Sequence, residues 1–379
     1  MSKKFKKHKY IFLRTLFKIL RGFDSGKRQV YDKNRVHRIL LVSTTAIGDT
    51  LLSTPAIRAV RKAFPQAFVA VLSHEERKEI LEVNPYISEL ISYPGKYKKA
   101  GRLMKRLRSR EFDAGIVLHG NDPDIVPLLY LAGIPVRVGW GESRFSFLFT
   151  HTCVRPAEPT HLIRIRLNTV KQIGISDDGE AMDLFLSEKE RRFADEFLRA
   201  KGAAGKKLIG IHPFGSHGSK QWPHIGAFLE RAARKYPDHA FFVVGGGKEK
   251  LLAEAVRGNL AAQKNVFFAV GECRLRQTAA LISRCACFMT TDSGPMQMSL
   301  ALDVPTVVLA GPTDMRRTGP LAEDRHCIIQ KEVACRPCNM KECDDMRCMD
   351  LIAVDDAMDA LHCMLKRNPV PNNQRPAQI

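Results

Sequence analysis

Short apolar runs recur along this chain, each closed by a turn of Gly, Ser, Thr or Asp and followed by residues at helical spacing. In the first half they begin near His37, Phe68, Leu90, Ala114 and Pro135; in the second near Leu208, Ala240, Asn265, Cys287 and Pro305. Apolar runs of this length, interleaved with helices, read as strands of a parallel sheet covered on both faces. With 379 residues, the alternation predicts an α/β protein with two open, Rossmann-like sheets on either side of a cleft.

Residues 288–303, FMTTDSGPMQMSLALD, show the unit most clearly. The apolar start is a covered strand. Thr291, Asp292, Ser293 and Gly294 supply N-cap oxygens and a backbone that can bend, and Pro295 suits the first helical position, where its missing N–H costs little. Such a junction aims unpaired N–H groups and a positive dipole end past the strand, which suits a phosphate; an ordinary capped junction would carry the same residues. Residues 44–50 repeat the arrangement after the first strand. Gly48 permits close backbone approach there, and Asp49 falls at the start of a helix expected over 51–64. A carboxylate at that edge either caps the helix or works as a general base.

The formal net charge is +20, but it is unevenly placed: residues 1–38 hold 13 Lys and Arg against Asp24 and Asp32. Phe12, Leu13, Leu16, Phe17, Leu20 and Phe23 recur there at helical spacing, with Arg14, Lys18 and Arg21 on the other side. This basic amphipathic N-terminal extension predicts a helix lying on an anionic membrane surface, one packed on the protein body, or a disordered tail. A second basic segment, 96–110, carries eight Lys and Arg and no acid. The longest apolar run, 125–136, holds two prolines and is too short to span a bilayer. Arg14 and Lys18 interrupt the N-terminal apolar stretch, so a signal peptide is not expected, and the ten cysteines are read as mostly reduced. The expected division is an arm over 1–35, an acceptor domain over 36–180, a nucleotide-sugar domain over 205–355, and a helix and tail over 356–379.

Three segments carry a family resemblance: 39–57 (ILLVSTTAIGDTLLSTPAI), 211–223 (IHPFGSHGSKQWP) and 292–298 (DSGPMQM). In order and separation they resemble glycosyltransferase family 9, the lipopolysaccharide heptosyltransferases, whose two Rossmann-like domains form the GT-B fold. The resemblance covers roughly 36–365. It implies inverting transfer of a sugar, heptose, from a nucleotide-diphosphate sugar, ADP-heptose, to a lipopolysaccharide core or related glycan. The expected partners are that donor, a lipid-linked glycan acceptor and the inner face of the inner membrane, with no nucleic acid. Asp49 matches the family's general base, and Thr45, Gly48 and Asn121 lie on the acceptor side. Ser216, Lys220, Thr291, Asp292, Ser293, Gly294 and Gln297 match donor-binding positions; Gln297 stands where the family commonly has His. No cofactor is implied. The only D-x-D spacing, Asp122-Pro-Asp124, reads as a loop rather than a metal bridge.

Cys335, Cys338, Cys343 and Cys348 crowd four thiols into fourteen residues, either a structural metal site or free thiols and disulfides. The other six, Cys153, Cys273, Cys285, Cys287, Cys327 and Cys363, read as small core residues. Two other functions stay open at this level. A sugar-nucleotide epimerase would share the donor site, and a nucleic-acid-binding protein would explain the charge. The latter lacks a recognisable reading module.

Overall fold

The computed structural model describes residues 13–22, 31–119, 123–258, 260, 262–322 and 324–367. It divides into two compact units at Ala181/Met182.

The first unit opens with helix α1 over residues 13–22. Strands β1 (Arg38–Ser43), β2 (Phe68–His74), β3 (Glu89–Tyr93), β4 (Ala114–Val117), β5 (Val136–Trp140) and β6 (His151–Cys153) follow. Between and after them lie α2 (Ile47–Leu51), α3 (Thr54–Ala63), α4 (Ala100–Arg108), α5 (Ile125–Leu131) and α6 (Leu162–Lys171). In the second unit the strands are β7 (Lys207–His212), β8 (His239–Val243), β9 (Val266–Phe268), β10 (Cys285–Thr291), β11 (Thr306–Ala310) and β12 (His326–Gln330). Its helices are α7 (Glu188–Ala200), α8 (Ile225–Lys235), α9 (Lys250–Gly258), α10 (Leu275–Ile282), α11 (Gly294–Ala301), α12 (Met315–Thr318), α13 (Arg347–Asp350) and α14 (Val354–Arg367).

Among the described residues each unit holds one six-stranded sheet, ordered β3-β2-β1-β4-β5-β6 and β9-β8-β7-β10-β11-β12. All pairings are parallel. The two orders are the same doubly wound pattern, so each sheet reverses direction once, between β1 and β4 and between β7 and β10. Ligands of such sheets bind outside the carboxyl ends of the strands at that reversal.

The central strands are fully covered, as their sequences require: Ile39, Leu40, Leu41 and Val42 are wholly buried, and so are Cys285, Cys287, Phe288 and Met289. Edge strands β6 and β12 were not legible as strands. Each is covered less completely, and β12 runs buried, half-buried, exposed along His326, Cys327 and Ile328, so no continuous apolar run marks it.

The single helix expected over 51–64 is broken at Leu52–Ser53. Ser53 Oγ donates to the Asp49 carbonyl at 2.9 Å and lies 3.1 Å from Ser43 Oγ, offering the backbone an alternative to helix continuation. Pro55 then starts α3. After β2, residues 75–77 form a turn into a 3₁₀ segment, Lys78–Leu81.

Asp124 is 4% exposed and accepts from the Tyr93 hydroxyl and the Tyr97 N–H, both at 2.8 Å, a structural task inside the first unit. Helix α7 belongs with the second unit: its capping box joins Ser187 to Glu190, whose carboxylate also takes bonds from Arg276 on α10. Helix α14 enters the same core through Ala357, Met358, Leu361 and Met364.

Helix α1 divides its apolar face. Phe17 is 6% exposed and meets Tyr130 and Phe145 edge-on at 6.1 and 5.8 Å, with Leu13 beside it. Leu16, Ile19 and Leu20 stay exposed. Phe12 and Phe23 lie outside the described residues. Among those residues, no helix is long and apolar enough to cross a membrane.

Candidate active site

In the first unit, β1 delivers Thr44 and Thr45 to the sheet reversal, and α2 starts two residues later. Asp49 sits in the first turn of α2, whose N-cap, Ala46, has no side-chain bond. Asp49 does not cap this helix. Its Oδ1 accepts at 2.9 Å from Arg166 Nη2 on α6, 117 residues further along the chain. Burial alone would push the Asp49 carboxyl up; the Arg166 charge and hydrogen bond, with His119 and Thr45, outweigh it and hold the group below the usual carboxylate range. His119 comes from the end of β4, the other strand at the reversal, and accepts from the Thr44 N–H. Gly48 lies one residue before Asp49 and its carbonyl closes α2 on Leu52. Asn121, expected on the acceptor side, lies outside the described residues.

In the second unit, β7 ends in the loop that carries Ser216 and Lys220. Gly215 holds φ +64, and a Cβ there would stand 2.6 Å from Lys220 Cβ, so only glycine lets the loop close on that lysine. Ser216 is exposed on the loop surface. Lys220 Nζ donates to Asp292 Oδ2, and the Thr313 hydroxyl donates to the same oxygen at 2.7 Å. Asp292 is therefore occupied by side chains and leaves the N-terminus of α11 uncapped. Ser293 also makes no cap bond; its Oγ lies 3.2 Å from both His212 Nδ1 and Thr290 Oγ1. The first N–H groups of α11, from Gly294 onward, are thus left for a ligand. Thr291 is wholly buried, with its Oγ1 unpaired among the described residues. Gln297 is 3% exposed and donates to the Thr318 carbonyl at 2.7 Å, so it ties α11 to α12 rather than facing the open turn.

The cysteine segment frames this side. Ser219 N–H donates to the Lys341 carbonyl at 3.3 Å and its hydroxyl to the Met340 carbonyl, while the Cys338 and Asn339 N–H groups both donate to the Pro312 carbonyl. Residues 338–341 therefore brace the loops carrying Lys220 and Thr313. All ten cysteines are free thiols. Cys335 is exposed, Cys338 and Cys343 are half-buried and Cys348 is buried. Among the described residues, no group of three or more His, Cys, Asp or Glu side chains is placed to hold a metal ion. Of the six cysteines read as core, Cys153, Cys285 and Cys287 are buried, while Cys273, Cys327 and Cys363 are half-buried.

Four residues at these sites escaped the sequence reading. Arg166 carried one signal, a basic residue among the buried Ile163, Ile165, Leu167 and Val170 of α6. Thr313 follows a strand at its carboxyl end, where the sheet rule points. His212 ends β7. Glu249 follows Gly245, Gly246 and Gly247, accepts from the Gly246 N–H and lies 3.9 Å from His212 Nε2.

Two doubly wound sheets, with a carboxylate at one reversal and a lysine, an aspartate and an uncapped helix N-terminus at the other, make this a protein of the two-Rossmann GT-B fold. The sequence profile of glycosyltransferase family 9 (heptosyltransferase) matches residues 100–348, more than half of the chain, and the protein belongs to that family. It is 29% identical over 340 residues to lipooligosaccharide heptosyltransferase 2 of Campylobacter jejuni, covering 87% of this chain and 99% of that one. Lipopolysaccharide heptosyltransferase 2 of Escherichia coli K12 is 26% identical over 314 residues, covering 77% and 87%. Among solved structures, E. coli ADP-heptose lps heptosyltransferase II superposes with a TM-score of 0.71 at 22% identity, over 88% of this chain and all of that one.

Proposed function

We propose that this enzyme transfers heptose from ADP-heptose to a lipopolysaccharide core acceptor, with inversion at the anomeric carbon. The observation that carries the proposal is the Asp49 carboxylate held ionised at the sheet reversal of the first unit. The named relatives, matched over most of their length, support heptose as the sugar and a lipopolysaccharide-type acceptor.

An acceptor hydroxyl attacks the anomeric carbon on the face opposite the diphosphate. Asp49 takes the hydroxyl proton as the new C–O bond forms. The electrons of the old C–O bond pass to a phosphate oxygen, and ADP leaves. Lys220 and the N–H groups of α11 stabilise the growing charge of the diphosphate. Asp292 and Thr313 orient Lys220, and Thr291, Ser293, Gly294 and Ser216 line the turn and loop around it. Gln297 keeps α11 in place. Thr45, Gly48 and Asn121 belong to the acceptor side.

The enzyme works peripherally on the inner face of the inner membrane. The exposed Leu16, Ile19 and Leu20 of α1, with the Lys and Arg around them, suit an anionic lipid surface.

Incubation with ADP-heptose and a heptose-deficient lipopolysaccharide tests the reaction. A mass gain of one heptose on the acceptor, with matching ADP release, is expected. Turnover of the nucleotide sugar with no change in the acceptor would overturn the transfer reading.

A further inference from the structure

The Asp49–Arg166 pair joins two very different surroundings: the Arg166 side chain is 3% exposed and that of Asp49 34%. Arg166 lies among the apolar side chains of α6, a helix packed on α3. Its Nη2 bonds Asp49 Oδ1, and its Nη1 is buried with no hydrogen-bond partner among the described residues. Burying a guanidinium is costly unless an anion compensates it, so a helix that had only to pack would carry Leu or Met at this position. No other carboxylate forms an ion pair with Arg166 among the described residues. The remaining polar and charged groups around Asp49 are Thr45 beside it, His119 from the end of β4, and Arg77, which donates to the Thr45 carbonyl at 3.2 Å.

We infer that Arg166 is a positioning residue of the transfer reaction: its buried guanidinium fixes Asp49 Oδ1 and keeps the carboxylate ionised, so that the other oxygen meets the acceptor hydroxyl. This deepens the reading of Asp49 as the base and rests on it. A carboxylate in a partly dry site takes up a proton at higher pH than one in water and is then no base. The guanidinium reverses that, since it keeps its charge at any working pH. The same cation weakens Asp49 as a base. Proton transfer is therefore late, after the attacking oxygen has bonded to carbon and become more acidic.

The test is the pH dependence of heptose transfer from ADP-heptose to heptose-deficient lipopolysaccharide. Wild type is compared with Arg166→Gln, Arg166→Lys, Asp49→Asn and the Asp49→Asn/Arg166→Gln double variant, with ADP affinity measured for each. In wild type, kcat falls on the acid side as Asp49 takes a proton. In Arg166→Gln that limb moves to higher pH by about one unit or more, because an opposite charge is lost. Arg166→Lys shifts it less, and ADP affinity stays unchanged in both. In the Asp49→Asn background, Arg166→Gln adds no further loss, since its effect runs through Asp49. A loss equal at every pH, or one that adds to that of Asp49→Asn, would make Arg166 a packing residue and overturn the inference. Should Arg166→Gln fail to fold, Arg166→Met, which keeps the bulk and removes the charge, carries the measurement, and an unmoved acid limb there overturns it. Near-normal turnover by Asp49→Asn would instead sink the base reading itself, whatever Arg166 does.

Discussion

Lys220 donates to Asp292, 72 residues further along, through the same carboxylate oxygen that receives the Thr313 hydroxyl. One carboxylate thus gathers three loops, those after β7, β10 and β11. In the donor role proposed for it, the lysine would be aimed in advance, which lowers the entropy lost when a diphosphate arrives. Asp292 already offsets part of the Lys220 charge, so in that proposed role the uncapped N-terminus of α11 would share the work of holding the anion.

Replacing Lys220 by Ala should therefore weaken ADP binding by about 10- to 100-fold, the range of a lost charge-assisted hydrogen bond of about 1.5–3 kcal/mol. The remaining Asp292 carboxylate then repels the diphosphate. Calorimetric titration with ADP reads the change, and an unaltered affinity would remove Lys220 from the donor site.

Gly215→Ala tests the loop without touching a charge. At φ +64, with Lys220 Cβ 2.6 Å from the new methyl group, the loop must shift. The strain is on the order of 1–2 kcal/mol. ADP affinity should fall, and the urea midpoint of the second unit should drop by no more than that strain accounts for, since Gly215 is itself buried next to Phe214 of the core. Normal ADP binding would show that the lysine finds its place without the tight turn.

Glu190 ties α7 to α10 through Arg276, with side-chain exposures of 15% and 6%. Burial pushes this carboxyl up, but the bonds from Arg276 and Ser187 outweigh it and leave it below the usual range. A depressed folded-state value means stability that is fully present above about 4.3, the unfolded glutamate value, and is lost as pH falls through the lower folded one. Glu190→Gln should cost about 3 kcal/mol near neutrality, as removing one partner of a buried pair does. The difference from wild type should fade below about pH 4. Urea unfolding followed by Trp222 fluorescence in a Trp140→Phe background reads the second unit. A constant difference down to pH 3 would contradict the assignment.

Helix α1 separates into two experiments. Phe17→Ala leaves a hole beside Tyr130 and Phe145 and should destabilise the first unit by about 3 kcal/mol. Replacing Leu16, Ile19 and Leu20 together with Ser should leave stability unchanged and reduce co-sedimentation with anionic vesicles. Equal sedimentation of this variant and wild type across a salt series would end the membrane role of the exposed face.

The sequence by itself determined the class of fold, most of the strands and the turn chemistry of both sites. Those features are local: apolar runs make covered strands, Pro295 suits a helix start, and Gly48 permits close backbone approach. The motifs around Asp49, Lys220 and Asp292 were legible for the same reason, since each lies within one strand–turn–helix step.

Tertiary structure decided what each of those groups faces. Arg166 stands beside Asp49 from 117 residues away because α6 packs on α3, and Lys220 meets Asp292 from 72 residues away because the second sheet brings the ends of β7 and β10 together. Periodicity specifies which face of an element is buried; it carries no information about which distant charge will lie against it. Helix α1 shows the same limit. Its spacing announced an apolar face, and only packing could divide that face between Phe17 in the core and Leu16, Ile19 and Leu20 in the open. Phe17 goes into the core because the rings of Tyr130 and Phe145 meet it edge-on, a contact the aliphatic Leu16, Ile19 and Leu20 cannot make.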